Sequence, residues 1–172
     1  MSKQKRTPLR KMRIRNMELQ NSTMDGICMV WCYMDNVDLT GSSIRKVDFD
    51  GGNVKRINFT DCDLYHSNFH KADLHSSIFD GANAIKCHFA HSYCQEVSFK
   101  GANLQGASFH KANLENANFE GADLTGARFS DAWLHGANFK GAIVKDAIFP
   151  DAHITKDQRE ILIAGGAKDL AK

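Results

Sequence analysis

The chain has 172 residues, of which 42% are hydrophobic and only two are proline, a composition that fits one folded domain and excludes a long disordered chain. The formal net charge is +2, no apolar run approaches the roughly 20 residues that span a bilayer, and no apolar stretch follows the basic N-terminus as in a secretory signal. Five cysteines without paired spacing favour a reducing cytoplasm over a disulfide framework.

The first predicted segment is a basic N-terminal arm or cap, residues 1–12. The stretch 1–15 contains seven Lys or Arg and no acid, whereas the rest of the chain is mildly acidic. A solvated tail explains this charge, and so does contact with a nucleic acid, an acidic partner or a membrane surface. The sequence leaves these interpretations open.

A five-residue period follows and defines the second predicted segment, residues 13–154. Every fifth residue from Ile14 to Ile154 is large and apolar, except Ala84 and Cys94. The residue two positions before each of these is mostly small, and it is Ala in every repeat of the C-terminal third. Each repeat therefore offers one large and one small side chain for burial, while its other three positions are mostly polar.

This period fits neither a helix nor a flat strand. Five helical steps leave a rotation of about 140°, so the large residues would spread around the whole helix. In a strand an odd period would place them on alternate faces. A chain that turns once per repeat keeps them on one side. Ten of the 13 glycines lie two residues after the large position, which is where a turn is needed.

A second period of ten residues sets the size of the coil. All eleven Phe residues lie ten apart, from Phe49 to Phe149, with Leu or another aliphatic residue in the alternate large positions. Because Phe and aliphatic residues alternate from one repeat to the next, Phe stacks on Phe in the next coil only if each coil has an even number of repeats. Two repeats are too tight and six leave a hole, so a coil of four repeats is predicted. The predicted core contains Leu64, Phe69, Leu74, Phe79, Phe89, Phe99, Leu104, Phe109, Leu114, Phe119, Leu124, Phe129, Leu134, Phe139 and Phe149.

The stretch GANLQGASFHKANLENANFEGADL resembles the A(D/N)LXX motif of the pentapeptide repeat family. The resemblance implies an all-β fold, a right-handed quadrilateral parallel β-helix, here with about seven coils. It also implies a non-enzymatic protein–protein interaction module. Some members of the family mimic DNA, act on DNA gyrase and dimerise through C-terminal elements. A type II topoisomerase and a second copy of the chain are therefore alternative partners, beside an unknown protein.

No catalytic, cofactor or metal site is predicted. All eight histidines occupy outward positions, and although His75 and His135 share a face, no third ligand joins them convincingly. No nucleophile–base pair stands out, so neither an enzyme activity nor a small-molecule substrate is expected. Four cysteines occupy inward positions, whereas Cys28 points outward and is the thiol expected to react.

The last predicted segment, residues 155–172, is a capping helix and tail. Thr155 and Gln158 have the spacing of a capping box, and Gly165 and Gly166 would end the helix. Apolar residues near this end, predicted to lie under the helix, in a dimer contact or in solvent, form a candidate interaction surface: Trp133, Ile143, Ile148, Ile161 and Leu162. Ile161 and Leu162 are expected to pack on the last coil.

The stretch from residue 83 to 94 is the least regular part of the repeat. Ala84 and Cys94 are too small for their inward positions, and Ile85 is expected to fold partly over them. The sequence predicts a local dent or a flattened face there and gives no function for it.

Overall fold

The computed structural model describes residues 11–170, so most of the predicted arm lies outside the described part. Three parallel strands, β1 (Arg13–Glu18), β2 (Tyr33–Asp38) and β3 (Asn53–Asn58), form a sheet in the order β1-β2-β3. One helix occurs in this part of the chain, α1 (Lys156–Ala164). The other repeats pair through isolated β-bridges rather than through longer strands.

Parallel pairing between residues four repeats apart runs through the whole repeat region. β1 pairs with β2 and β2 with β3 in this register, and isolated bridges such as Asn103 with Asp123 continue it toward the C-terminus. The chain returns to the same side after every fourth repeat, so each coil has four sides. The chain is a quadrilateral parallel β-helix, which confirms the predicted fold class.

The corners of the coils require a left-handed backbone conformation. From Ile14 to Phe149, the second residue after each large position has a positive φ, whether it is glycine, such as Gly121 at 65°, or another residue, such as Asp61 at 54°. The Asn or Asp before the large residue supports the same corner. Asn113, for example, accepts a hydrogen bond at its Oδ1 from the backbone N–H of Glu115, at 3.1 Å.

The N–H of the small inward residue finds its hydrogen-bond partner in one of two ways. Where it is Ala, its N–H bonds to the preceding large residue, as from Ala107 to the Leu104 carbonyl at 3.0 Å. At Ile57 the partner of this N–H comes instead from the next coil. The buried Ser77 hydroxyl accepts from the Ile57 N–H and donates to the Val54 carbonyl, each at 3.0 Å.

The core consists of stacked side chains that follow the ten-residue period. The rings of Phe89 and Phe109, which lie one coil apart, stack with centroids 4.9 Å apart and planes inclined by 5°. Phe99 lies across the axis and meets Phe109 edge-on at 5.6 Å. All fifteen predicted core residues are buried, with at most 3% of any of them exposed.

The small residues at 84 and 94 do not interrupt the hydrogen-bond ladder between coils. Asn83 and Tyr93 keep their bridges to the coil that follows, and the Ala84 N–H bonds to the Asn103 carbonyl at 2.8 Å. The ladder hydrogen bonds are therefore continuous through this stretch, while the dent or flattened face stays a prediction.

Helix α1 closes the C-terminal end of the solenoid. Thr155 and Gln158 form the predicted capping box, and this prediction is confirmed. The helix ends in a Schellman motif, with Ala167 N–H bonded to the Leu162 carbonyl and Gly166 in a left-handed conformation at φ 83°. After the helix, Lys168 pairs with Ile148, which lies four repeats earlier, so the chain returns to the register of the coils.

Candidate interaction surface

The four-repeat register sorts the surface of the solenoid into four faces. Face 1 contains residues 11–15 and their equivalents in every later coil, and faces 2, 3 and 4 begin at residues 16, 21 and 26 in the same way. Face 2 combines five acids with three bases up to residue 154, and face 3 combines four acids with two bases. No face of residues 11–154 is continuously acidic, because basic residues interrupt the acids on each of them.

Face 1 carries a shallow groove that runs along the axis of the solenoid. Its volume is about 650 Å³, and we call it the aromatic groove. It is lined by Trp31, Gly51, Lys71, His91, Ser92, Tyr93, Lys111, Asn113, Glu115 and Trp133. This surface combines aromatic rings, amines and a carboxylate. A face that only contacts solvent has no need of exposed aromatic rings.

Three aromatic side chains of the groove project into solvent. Trp31 is 62% exposed, Tyr93 56% and Trp133 49%. Trp31 lies over Gly51, where a Cβ atom would approach its ring to 3.3 Å, and Trp133 packs against His153 with ring centroids 4.6 Å apart. Glycine at position 51 and a ring at position 153 therefore support the two tryptophans. Exposed Trp and Tyr are the residues that most often carry binding energy in protein interfaces.

Two lysines and a histidine line the groove between the two tryptophans. Lys71, His91 and Lys111 occupy one column of face 1, each one coil above the last. Neither lysine has an ion-pair partner among residues 11–170. Partial desolvation, followed by the charges of His110, His70 and the two lysines, lowers the pKa of His91, which favours its neutral form at pH 7.

The C-terminal half of the same face is acidic. Glu115 lines the groove, and Asp131 and Asp151 continue the column of Lys71 and Lys111. The carboxylate of Asp131 also lies 3.7 Å from Nδ1 of His110 on the adjoining face. Face 1 is thus net positive up to Lys111 and acidic beyond it, toward the C-terminal end.

The structure does not bring the candidate interaction surface together as one patch. Trp133 lies on face 1, exposed Ile143 on face 3 and half-buried Ile148 on face 4, because each repeat moves the chain to the next face. The helix leaves Trp133 and Ile143 exposed. Leu162 is fully buried against the core and is not a surface residue, whereas Ile161 is 52% exposed rather than packed on the last coil.

Sequence reasoning missed Trp31 as part of a site and did not join Tyr93 to the column of Lys71 and Lys111. The sequence contains the necessary information, because residues on one face occupy the same position within the four-repeat coil. Sorting the outward residues by that position places both tryptophans, Tyr93 and the two lysines on face 1.

Metal and thiol chemistry are limited in the described part of the chain. No group of three or more His, Cys, Asp or Glu in residues 11–170 is placed to hold a metal ion. Burial raises the pKa of the Cys87 and Cys94 thiols to about 12 each, so both are protonated and unreactive in the folded protein. Cys28 is half-buried and is the most accessible of the five thiols.

A family profile of pentapeptide repeats matches the chain in eight copies, over residues 43–81, 77–116 and 102–141. Together these segments include more than half of the chain. The protein belongs to the pentapeptide repeat family. No curated protein matches the sequence.

Solved structures of other pentapeptide repeat proteins resemble the chain at low identity. A protein of the Arabidopsis thaliana thylakoid lumen is 23% identical, with 76% of this chain and 74% of that chain covered and a TM-score of 0.43. QnrB1, a plasmid-mediated fluoroquinolone resistance protein, is 16% identical in its trypsin-treated form, with coverage of 90% and 95% and a TM-score of 0.47. HetL of the cyanobacterium Nostoc, involved in heterocyst differentiation regulation, is 22% identical, with coverage of 84% and 89% and a TM-score of 0.22.

Helix α1 is short and carries charged residues in its first turns. Within residues 11–170 no helix combines the length and the apolar character that crossing a bilayer requires.

Proposed function

We propose that this protein is a non-enzymatic interaction module that recognises a partner protein through the aromatic groove of face 1. The observation that carries the proposal is the exposure of Trp31, Tyr93 and Trp133 on a single face of a rigid solenoid. Burial of such rings by a partner contributes binding energy, and the rigid backbone adds little entropic cost on binding. The five free thiols fit a reducing compartment such as the cytoplasm.

The test compares two triple variants of the full chain as bait in quantitative affinity capture. The first carries Trp31→Ala, Tyr93→Ala and Trp133→Ala. The second is a matched control that removes three apolar side chains exposed outside the groove, by Met12→Ala, Met17→Ala and Ile78→Ala. We expect a protein that the wild type and the control retain and the groove variant loses. If no captured protein distinguishes the two variants at equal thermal stability, the proposal is wrong.

Self-association through the C-terminal end is a second candidate. Ile161 and Ile163 of α1 are exposed, and so is Ile143 in the last coils of the solenoid. Ile161→Glu with Ile163→Glu would then convert a dimer into a monomer in multi-angle light scattering. A wild-type protein that stays monomeric at high concentration would remove this candidate.

The distribution of charge does not favour the DNA-mimic alternative. A mimic of the duplex needs dense negative charge, since DNA carries about one charge per 1.7 Å of its axis. Faces 2 and 3 have the largest excess of acids and still include Arg45, Arg56 and Lys100 among their bases. We therefore expect no effect of the protein on supercoiling by DNA gyrase, with or without a quinolone. If micromolar protein protects gyrase from the quinolone, or inhibits supercoiling, a type II topoisomerase becomes the favoured partner again.

A further inference from the structure

We propose that the aromatic groove binds an acidic, proline-containing segment of a partner protein in the polyproline II conformation, lying along the axis of the solenoid. This inference rests on the proposed function and specifies the chemistry of the partner. It depends on three properties of face 1, namely its spacing, its charge and its lack of free backbone groups.

The spacing of face 1 matches the turn of a polyproline II helix. Successive coils lie about 4.8 Å apart, in agreement with the 4.9 Å between the stacked rings of Phe109 and Phe129. Two coils therefore rise about 9.6 Å, while one polyproline II turn of three residues rises about 9.3 Å. Side chains three residues apart in such a segment would face side chains two coils apart in the groove.

Groove residues two coils apart are the ones that carry binding chemistry. Among the lining residues, Trp31, Lys71 and Lys111 follow one another at this interval in a single column, which Asp151 continues beyond the groove. Tyr93 and Trp133 are also two coils apart in the neighbouring column. Two acids at positions i and i+3 of the segment would thus reach the two lysines, while prolines between them pack on the aromatic rings, as aromatic-lined grooves bind proline-rich segments elsewhere.

The charge of the groove favours a peptide over a nucleic acid. Lys71 and Lys111 attract anions, but Glu115, Asp131 and Asp151 would repel a uniformly charged phosphate backbone over the C-terminal half of the face. A peptide can place acids against the lysines and a basic residue against the aspartates. Charge complementarity along the whole groove is available to the peptide alone.

The backbone of face 1 leaves no edge for strand addition. The N–H of Tyr93 bonds to the Ala72 carbonyl and that of Asn113 to the Ser92 carbonyl, each at 2.9 Å, so these amides are already used by the preceding coil. The polyproline II helix has no internal hydrogen bonds, so its carbonyls are free to accept hydrogen bonds from a receptor. The Asn113 side chain supplies one, because its Oδ1 accepts from Glu115 and its amide NH₂ has no partner in the described residues.

The experiment measures fluorescence anisotropy of labelled peptides with the full-length protein. The probe contains four Glu-Pro-Pro units followed by two arginines. A peptide of the same composition with its four glutamates consecutive tests the three-residue spacing, and a thymidine 15-mer represents single-stranded nucleic acid. The protein variants are Lys71→Glu with Lys111→Glu in the groove and, as a matched control, Lys140→Glu with Lys145→Glu on faces 2 and 3.

We expect the spaced peptide to bind the wild type at least about tenfold more tightly than the consecutive one, which corresponds to about 1.4 kcal/mol. The groove variant should lose at least about tenfold in affinity and the control less than about twofold. Equal affinity for the two peptides, tighter binding of the oligonucleotide, or no binding of the spaced peptide would overturn the inference. The proposed function survives those results if the aromatic triple variant still loses a captured protein.

Discussion

At the residue scale, the position of a side chain within its five-residue repeat determines its environment. The fifteen core residues were predictable because a five-residue period admits only one inward direction when the chain turns at every repeat. Two adjacent residues illustrate the contrast. Phe109 is fully buried between Phe89 and Phe129, whereas His110 is half-buried on the surface.

We expect Phe109→Ala to lower the free energy of unfolding by about 3–5 kcal/mol, because it leaves a cavity in a stacked column. His110→Ala should cost under about 0.5 kcal/mol, since its ring contacts and its pairing with Asp131 are at the surface. Thermal or urea unfolding of the two variants measures the difference. Similar losses in both would contradict the assigned direction of these side chains.

The thiols provide a second test at this scale. Burial raises the pKa of Cys32 to about 12 and that of Cys62 to about 11, while Cys87 and Cys94 are buried at least as deeply. We expect Ellman's reagent to modify one thiol rapidly in the native protein, that of Cys28, and the other four only after denaturation. Cys28→Ser should abolish the rapid phase. A rapid phase that persists in this variant would mean that an inward thiol is accessible.

At the scale of elements, hydrogen bonds at the corners and at the helix ends hold the coils together. The sequence predicted the helix cap, because the Thr155 and Gln158 spacing has a known hydrogen-bond geometry. It did not predict the role of Ser77, because a serine at a small inward position looks like any other small residue. Its partners, Ile57 and Val54, belong to the preceding coil and are visible only in the folded structure.

Ser77→Ala should lower the free energy of unfolding by about 1–3 kcal/mol, because the Ile57 N–H and the Val54 carbonyl lose their partner inside the protein. Ser108→Ala serves as the control, since its hydroxyl makes no hydrogen bond within the described residues. Chemical denaturation of both variants gives the comparison. If Ser77→Ala lowers the free energy of unfolding no more than Ser108→Ala does, the Ser77 hydroxyl does not stabilise the corner.

Gln158 joins the helix to the last coil of the solenoid. Its side-chain NH₂ donates to the carbonyls of Leu134 and Ala137 at 2.7 and 2.9 Å, and its Oε1 accepts from the Thr155 N–H. We expect Gln158→Ala to cost about 1–3 kcal/mol, since two nearly buried carbonyls lose their donor. Hydrogen exchange should then accelerate in α1 before it does in the central coils. Unchanged protection of the helix would exclude this role.

At the scale of the whole molecule, the number of repeats per coil decides which side chains share a face. The sequence predicted four repeats per coil from the ten-residue spacing of phenylalanine, but it treated Trp133, Ile143 and Ile148 as neighbours. The coil separates them, because residues five apart occupy consecutive faces and residues ten apart opposite ones. The same geometry brings Trp31, which is distant from Trp133 in the sequence, onto face 1 and creates the aromatic groove.

Disulfide cross-linking between surface positions measures the coil length most directly. In a Cys28→Ser background, Asn103→Cys with Asp123→Cys places two cysteines in one bridge between adjacent coils, and backbones about 4.8 Å apart lie within disulfide range. Asn103→Cys with Asn113→Cys places them on opposite faces. We predict that mild oxidation cross-links the first pair nearly completely and leaves the second pair reduced. A cross-link in the second pair, or none in the first, would contradict a coil of four repeats.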